Sequence, residues 1–172
     1  MNSPGEVYYW LYPLLCDLSH QPSPPRVWVC VPPCQFSTGR EEEIVKNYPL
    51  VDRVFSPRET VSFCLRKGKL PSPGLILYLG GDLLYAVLLK RRTGFPLWVY
   101  RGYSKWLNKI DLYLARFLRD FEKLDFDRKI FLGDLLFSSI SIPTSPIFPP
   151  GSPRFLFLPG SRKVFYPYSL PF

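Results

Sequence analysis

The sequence predicts an α/β fold on a parallel, doubly wound sheet, and three observations carry that expectation. Short apolar or β-branched runs alternate with helix-forming runs along residues 26–132, the order that parallel βαβ units require. The joints between these runs are about two to six residues long, as in compact α/β units. At the centre, residues 75–89 read as a buried strand, a tight loop and a helix in direct succession: Leu75-Ile76-Leu77-Tyr78-Leu79, then Gly80-Gly81-Asp82, then the run from Leu83. Five apolar residues without polar alternation fit a strand covered by helices on both faces.

In chain order, residues 2–6, Asn-Ser-Pro-Gly-Glu, have the composition of a strand-to-helix loop. No strand precedes them, so the first strand of the sheet is expected upstream of Met1 or lost. Residues 7–18 follow as a helix of tyrosines, Trp10 and leucines, which Pro13 must kink unless it falls near the first turns. The Pro-rich connector 21–25 leads into 26–31, whose β-branched and aromatic character is that of a strand, and Pro32-Pro33 ends it. Residues 34–39 form a polar loop. The Glu41-Glu42-Glu43 run then opens a short helix over 40–48, where carboxylates meet the positive end of the helix dipole; this is helix-start chemistry rather than a metal site. Residues 51–55 are the next strand, and Ser56-Pro57 leads a helix over 59–67.

Pro71-Ser72-Pro73 and Gly74 open the central strand, and Gly80-Gly81 end it. Two glycines permit backbone angles closed to other residues and let another molecule approach the main chain. Asp82 is positioned to cap the free N–H groups of the next helix, which Lys90, Arg91 and Arg92 close and Gly94 stops. Ligands of open α/β sheets bind at the carboxyl ends of the strands, so this loop is a candidate site; its other reading is a capped turn with no ligand. Pro96 precedes a strand over 97–100. Residues 105–110 are ambiguous, 111–117 are strand or helix, and 129–132 are a last short strand before Gly133-Asp134.

Residues 140–153 hold five prolines with serines and Gly151, the composition of a linker. After it, 154–158 resume as an apolar strand that meets Pro159-Gly160-Ser161-Arg162, a loop type that suits anions. The expected organisation is a first domain over 1–139, a linker over 140–153 and the start of a second domain over 154–172.

Composition narrows the function. With 47% hydrophobic residues the chain has ample material for a core, and disorder throughout is excluded. A net charge of +8 favours phosphates, nucleic acid or an anionic membrane surface. The basic residues are scattered and form no nucleic-acid motif, so a membrane or phosphate partner is expected and nucleic acid is not. Cys16, Cys30, Cys34 and Cys64 lack paired metal-ligand spacing and read as reduced thiols of a cytoplasmic protein. His20 is the only histidine, which argues against histidine-based catalysis. No secretory signal opens the chain, and its longest apolar stretch is broken by Gly80-Gly81-Asp82 before it could span a bilayer.

Several of these motifs together resemble the lipid-A-disaccharide synthase family, in its synthase-like branch. They are Asn-Ser-Pro-Gly-Glu at 2–6, Pro-Pro-Cys-Gln-Phe-Ser-Thr-Gly-Arg-Glu at 32–41, Leu-Gly-Gly-Asp-Leu-Leu-Tyr-Ala at 79–86, Leu-Gly-Asp-Leu-Leu at 132–136 and Leu-Pro-Gly-Ser-Arg at 158–162. The likeness covers nearly the whole chain but only the front half of such an enzyme. It implies a GT-B glycosyltransferase: two Rossmann-like domains facing a cleft, the first holding the acceptor and the second the nucleotide sugar. Here the first strand and the second domain are expected to be missing.

The activity so implied is an inverting, metal-independent hexosyl transfer in lipopolysaccharide (lipid A) biosynthesis, with no cofactor. A UDP-linked acylated glucosamine is the donor and a lipid-linked sugar the acceptor, at the cytoplasmic face of the inner membrane, where the protein is peripheral. Carried over residue by residue, Glu6 and Asp82 become the carboxylates able to take the proton of the attacking hydroxyl. Ser3, Gly5, Gln35, Gly80 and Gly81 become substrate-binding positions. Gly160, Ser161 and Arg162 would hold the donor diphosphate, where a guanidinium offsets charge on the leaving UDP. The chain departs from the family at Gly133-Asp134-Leu135, where Gly-Asn-Leu is common, and at Lys163-Val164-Phe165, where an acidic residue is usual. The same motifs also fit a non-catalytic remnant or binding domain of this fold, and the truncated chain alone is expected to be inactive.

Overall fold

The computed structural model describes residues 4–34, 39–66, 74–100 and 104–135. The chain divides into two units, Met1–Ile140 and Ser141–Phe172, and every described residue belongs to the first. That unit is α/β with parallel sheets, compatible with a Rossmann-like arrangement.

Residues 4–19 form one unbroken helical run: α1 (Pro4–Glu6), a π-helical turn (Val7–Leu11) and α2 (Tyr12–Ser19). The wide turn answers the expectation about Pro13. Proline has no N–H and its ring presses on the carbonyl four residues back. The Tyr12 N–H reaches the Val7 carbonyl instead of the usual residue-8 partner, so the ladder shifts by one residue just before the ring.

The next elements are β1 (Val27–Cys30), α3 (Glu41–Lys46), β2 (Val51–Phe55) and α4 (Pro57–Leu65). Helix α4 starts on a capping box: Ser56 Oγ accepts from the Glu59 N–H at 3.4 Å, and Glu59 Oε2 accepts from the Ser56 N–H at 2.9 Å. These hydrogen bonds to the carboxylate, from the Ser56 main chain first, hold Glu59 below its ordinary carboxyl value. In α3, Glu41 departs from a solvated helix-start carboxylate, since it is buried and accepts from the Gly39 N–H at 3.0 Å.

The central unit is β3 (Ile76–Tyr78) followed by α5 (Leu83–Thr93), and β4 (Leu97–Tyr100) follows in turn. Asp82 Oδ1 caps α5 by accepting from the Leu84 N–H at 2.9 Å, and Gly94 stops it in the left-handed region at φ 75°. A 3₁₀ turn spans Ser104–Lys109, and β5 (Leu112–Ala115), α6 (Leu118–Lys123) and β6 (Lys129–Phe131) complete the unit. The ambiguous 111–117 segment is thus a strand, decided by its pairing with both β4 and β6.

The single doubly wound sheet expected from the sequence is corrected in one respect. Among the described residues the strands form two parallel sheets, β2-β1 and β3-β4-β5-β6. Strand periodicity records which runs are extended and buried, and it is silent about which edges meet. Both sheets still feed one core. Val29 and Val31 from the first lie in the same buried cluster as Leu79, Tyr100 and Leu114 from the second, closed by Val7, Trp10, Leu11 and Leu15 of the first helical run. A second cluster, with Leu97, Val99, Ile110 and Ala115, packs the four-stranded sheet against α5 and α6.

The amino ends of the central strands are tied by one carboxylate. Asp111 Oδ2 accepts from the Leu97 N–H at 2.7 Å and lies 2.6 Å from Lys90 Nζ, joining the end of α5 to the starts of β4 and β5. Burial opposes its ionisation, but the Lys90 hydrogen bond, the Leu97 N–H and the charges of Lys90 and Arg128 outweigh it and lower its pKa.

Candidate functional site

Because β3 to β6 run parallel, their carboxyl ends lie along one edge of the sheet, the place where α/β proteins bind ligands. The loop Gly80-Gly81-Asp82 leaves β3 there, and each residue has a distinct physical role. Gly81 takes φ 93°, a conformation strained for any residue with a Cβ, while its carbonyl accepts from the Tyr78 hydroxyl at 2.6 Å. Gly80 is needed for space. A Cβ at position 80 would overlap the Glu6 carboxylate, whose atoms are the three nearest neighbours of that point. Asp82 is exposed and caps α5, as already described.

Glu6 and the Gly80-Gly81-Asp82 loop are therefore together, as the sequence reading grouped them, although many residues separate them in the chain. Gly5 lies beside Glu6 in α1 and is half-buried. Ser3, Gln35, Gly160, Ser161 and Arg162 lie outside the described residues.

Sequence reasoning missed a second polar group at the same edge. Arg116 follows β5 directly, and its Nε donates to Asp134 Oδ2 at 2.7 Å, with Nη2 reaching the same oxygen. The Tyr100 hydroxyl, at the end of β4, faces the Gly133 carbonyl at 3.2 Å and Asp134 Oδ1 at 3.4 Å, and it accepts from the Leu135 N–H at 3.1 Å. Burial pushes the Tyr100 phenol above its ordinary value. Trp10 meets the Tyr100 ring edge-on at 5.5 Å, and the Arg116 guanidinium lies 5.4 Å from the Trp10 ring and 4.7 Å from that of Phe117. Gly133-Asp134 after a strand was the one local signal for this group; its partners come from other strands and leave no spacing to read.

Chemically, the edge offers two carboxylates, Glu6 and Asp82, on a glycine-lined approach, flanked by a charge-neutral Arg116–Asp134 pair. Among the described residues no group of histidine, cysteine and carboxylate side chains has a metal-binding arrangement. No described helix is long and apolar enough to cross a membrane. Comparison with protein-family models gives no match, and comparisons with curated proteins and with solved structures likewise give none.

Proposed function

We propose that the first unit is the acceptor-side half of a hexosyltransferase-like protein of GT-B type, resembling lipid-A-disaccharide synthase. In this reading the whole protein moves an acylated glucosamine from a UDP-sugar to a lipid-linked sugar at the cytoplasmic membrane face. The observation that carries it is the packing of the Glu6 carboxylate on Gly80, beside Asp82, at the carboxyl end of a central parallel strand. A base at this edge takes the proton of the acceptor hydroxyl as its oxygen bonds to the anomeric carbon. The bond from that carbon to the UDP oxygen breaks, and UDP leaves with the electron pair. Glu6 and Asp82 are the candidate bases; Gly5, Gly80 and Gly81 line the approach, and the resemblance assigns Ser3 and Gln35 to substrate binding as well. Gly160, Ser161 and Arg162 are assigned to the diphosphate, and the transfer uses no metal.

A second reading, a non-catalytic remnant or binding domain, draws support from Asp82. Its Oδ1 is engaged by the Leu84 N–H, as in a helix cap with no further task.

Titrating an acylated glucosamine acceptor, in micelles, into the 172-residue chain tests the first reading. Binding that weakens in Glu6→Gln and Gly80→Ala while the fold persists is the expected result. An acceptor that binds neither the parent nor the variants, or binds all three alike, refutes it. UDP-sugar turnover by this chain alone would contradict the assignment of donor contacts to a second domain.

A further inference from the structure

Glu6 and Trp10 belong to one helical run, and each touches a different part of the sheet edge. Glu6 packs on Gly80, just past β3. Trp10, only 8% exposed, meets the Tyr100 ring of β4 edge-on at 5.5 Å, and the Arg116 guanidinium, just past β5, stands 5.4 Å from its ring. Val7, next to Glu6, and Leu79, next to Gly80, share the buried cluster of Trp10 and Tyr100, so packed side chains connect the two contacts.

The group that receives Trp10 is closed on itself. Asp134 Oδ2 accepts from both Nε and Nη2 of Arg116, Asp134 Oδ1 faces the Tyr100 hydroxyl, and that hydroxyl accepts from the Leu135 N–H. A guanidinium bound through two nitrogens is fixed in orientation, where a lysine ammonium would be free to turn. The Arg116 and Asp134 side chains are 19% and 8% exposed, and a pair so buried adds little net stability, because desolvation offsets the attraction. What it supplies here is orientation.

A helix held at one point can roll about its axis; a second contact one turn away stops it. The lever is half of a helix diameter of about 10–12 Å, so a roll of about 20° carries the end of a side chain about 2 Å. Misplacing a catalytic group by about 1 Å can cost about a hundredfold in rate. We propose that Trp10, braced by the Arg116–Asp134 pair, is the positioning residue that keeps Glu6 on Gly80 and aimed at the acceptor hydroxyl. The proposal rests on the reading of Glu6 as an acceptor group, but the hold on its side chain can be measured without acceptor.

The test uses the 172-residue chain and two readouts. The Glu6 carboxyl carbon is followed by NMR, assigned through its loss in Glu6→Gln, and the acylated glucosamine acceptor is titrated in micelles. Trp10→Phe keeps a ring of smaller reach, and Arg116→Lys keeps the charge without the two-point hold. Ile110→Val, in the other buried cluster, is the comparator that lowers stability elsewhere. The Glu6 carbon is expected to shift in Trp10→Phe and Arg116→Lys and to stay in place in Ile110→Val. Acceptor binding should weaken about threefold or more in the first two, and no further when either is combined with Glu6→Gln, because both act through Glu6. A Glu6 carbon that stays in place in either folded variant, or moves equally in Ile110→Val, overturns the proposal. So does a loss of binding that is the same with and without Glu6→Gln. If the parent binds no acceptor, the reading of the site fails, and the Glu6 resonance still decides whether Trp10 holds that side chain.

Discussion

Replacing Gly80 with alanine separates placement of Glu6 from stability of the fold. The added methyl overlaps Glu6 Cδ and both carboxylate oxygens, and none of the three nearest atoms belongs to the main chain. Gly80 also does not have the positive φ of Gly81, so alanine fits its backbone. The clash is therefore relieved by turning the end of one flexible side chain, at about 0.5–1.5 kcal/mol if Glu6 leaves a good rotamer. Gly→Ala recovers about 0.4–1 kcal/mol by restricting the unfolded chain. The net change should stay within about 1 kcal/mol, a few degrees in Tm. Loss of a charged hydrogen bond to an acceptor hydroxyl should instead weaken binding by about tenfold or more. Gly81→Ala is the comparator: at φ 93° it costs about 1–2 kcal/mol through backbone strain. Calorimetric melting and acceptor titration on both variants check the reasoning. If Gly80→Ala loses more stability than Gly81→Ala and binds acceptor normally, the contact is core packing and the site assignment fails.

Asp82→Ala should lose about 1 kcal/mol of stability with its cap, whereas Asp82→Asn keeps the cap; under the proposed reading, acceptor binding and transfer that are near normal in the Asn variant would remove Asp82 as the base. Asp111 has a lowered folded pKa, so its contribution is present above the unfolded carboxyl value near 3.9 and fades as pH falls through the folded value. The gap in urea midpoint between the parent and Asp111→Asn should accordingly be open at neutral pH and close in acid; an equal gap in acid contradicts the network. Burial pushes the Cys30 thiol up to about 11, so native Cys30 should resist alkylation at mildly alkaline pH and react on unfolding, and rapid native labelling would disprove it.

Much of this architecture was legible because its signals are local. Strands β2 and β4 fall on the expected residues 51–55 and 97–100, each bounded by turn residues or proline. Helix α5 was readable from both ends, since Asp82 and Gly94 act through main-chain groups a few residues away. Helix α6 was not legible: it is short, and its N-cap Phe117 offers no side-chain acceptor. The Leu112-Tyr113-Leu114-Ala115 run lacks β-branched residues, so only its neighbours in the sheet make it a strand. The π turn before Pro13 and the division into two sheets depend on which carbonyl or edge is within reach, and a one-dimensional pattern does not record that.

The candidate site divides the same way, and the division bears on which ligand suits the first unit. Gly80, Gly81 and Asp82 announced themselves as a loop, but the Tyr100, Arg116 and Asp134 group is assembled from the ends of separate strands. That hidden group alters the electrostatics. Arg116 is the cation described at this edge, yet Asp134, only 8% exposed, takes two of its donors, and Trp10 and Phe117 flank the guanidinium. Freeing Arg116 for a phosphate would leave a buried carboxylate without its countercharge, which costs several kcal/mol. An anion gains little here, because the charge it would seek is already neutralised and Glu6 and Asp82 stand nearby. A ligand that offers hydroxyl donors to carboxylates gains more. Among the described residues, then, the basic excess of the chain supplies no unneutralised cation to this edge beside Arg116. Under the proposed reading the first unit takes the sugar acceptor, whose hydroxyls suit Glu6 and Asp82, and the diphosphate contacts fall to the Gly160-Ser161-Arg162 segment.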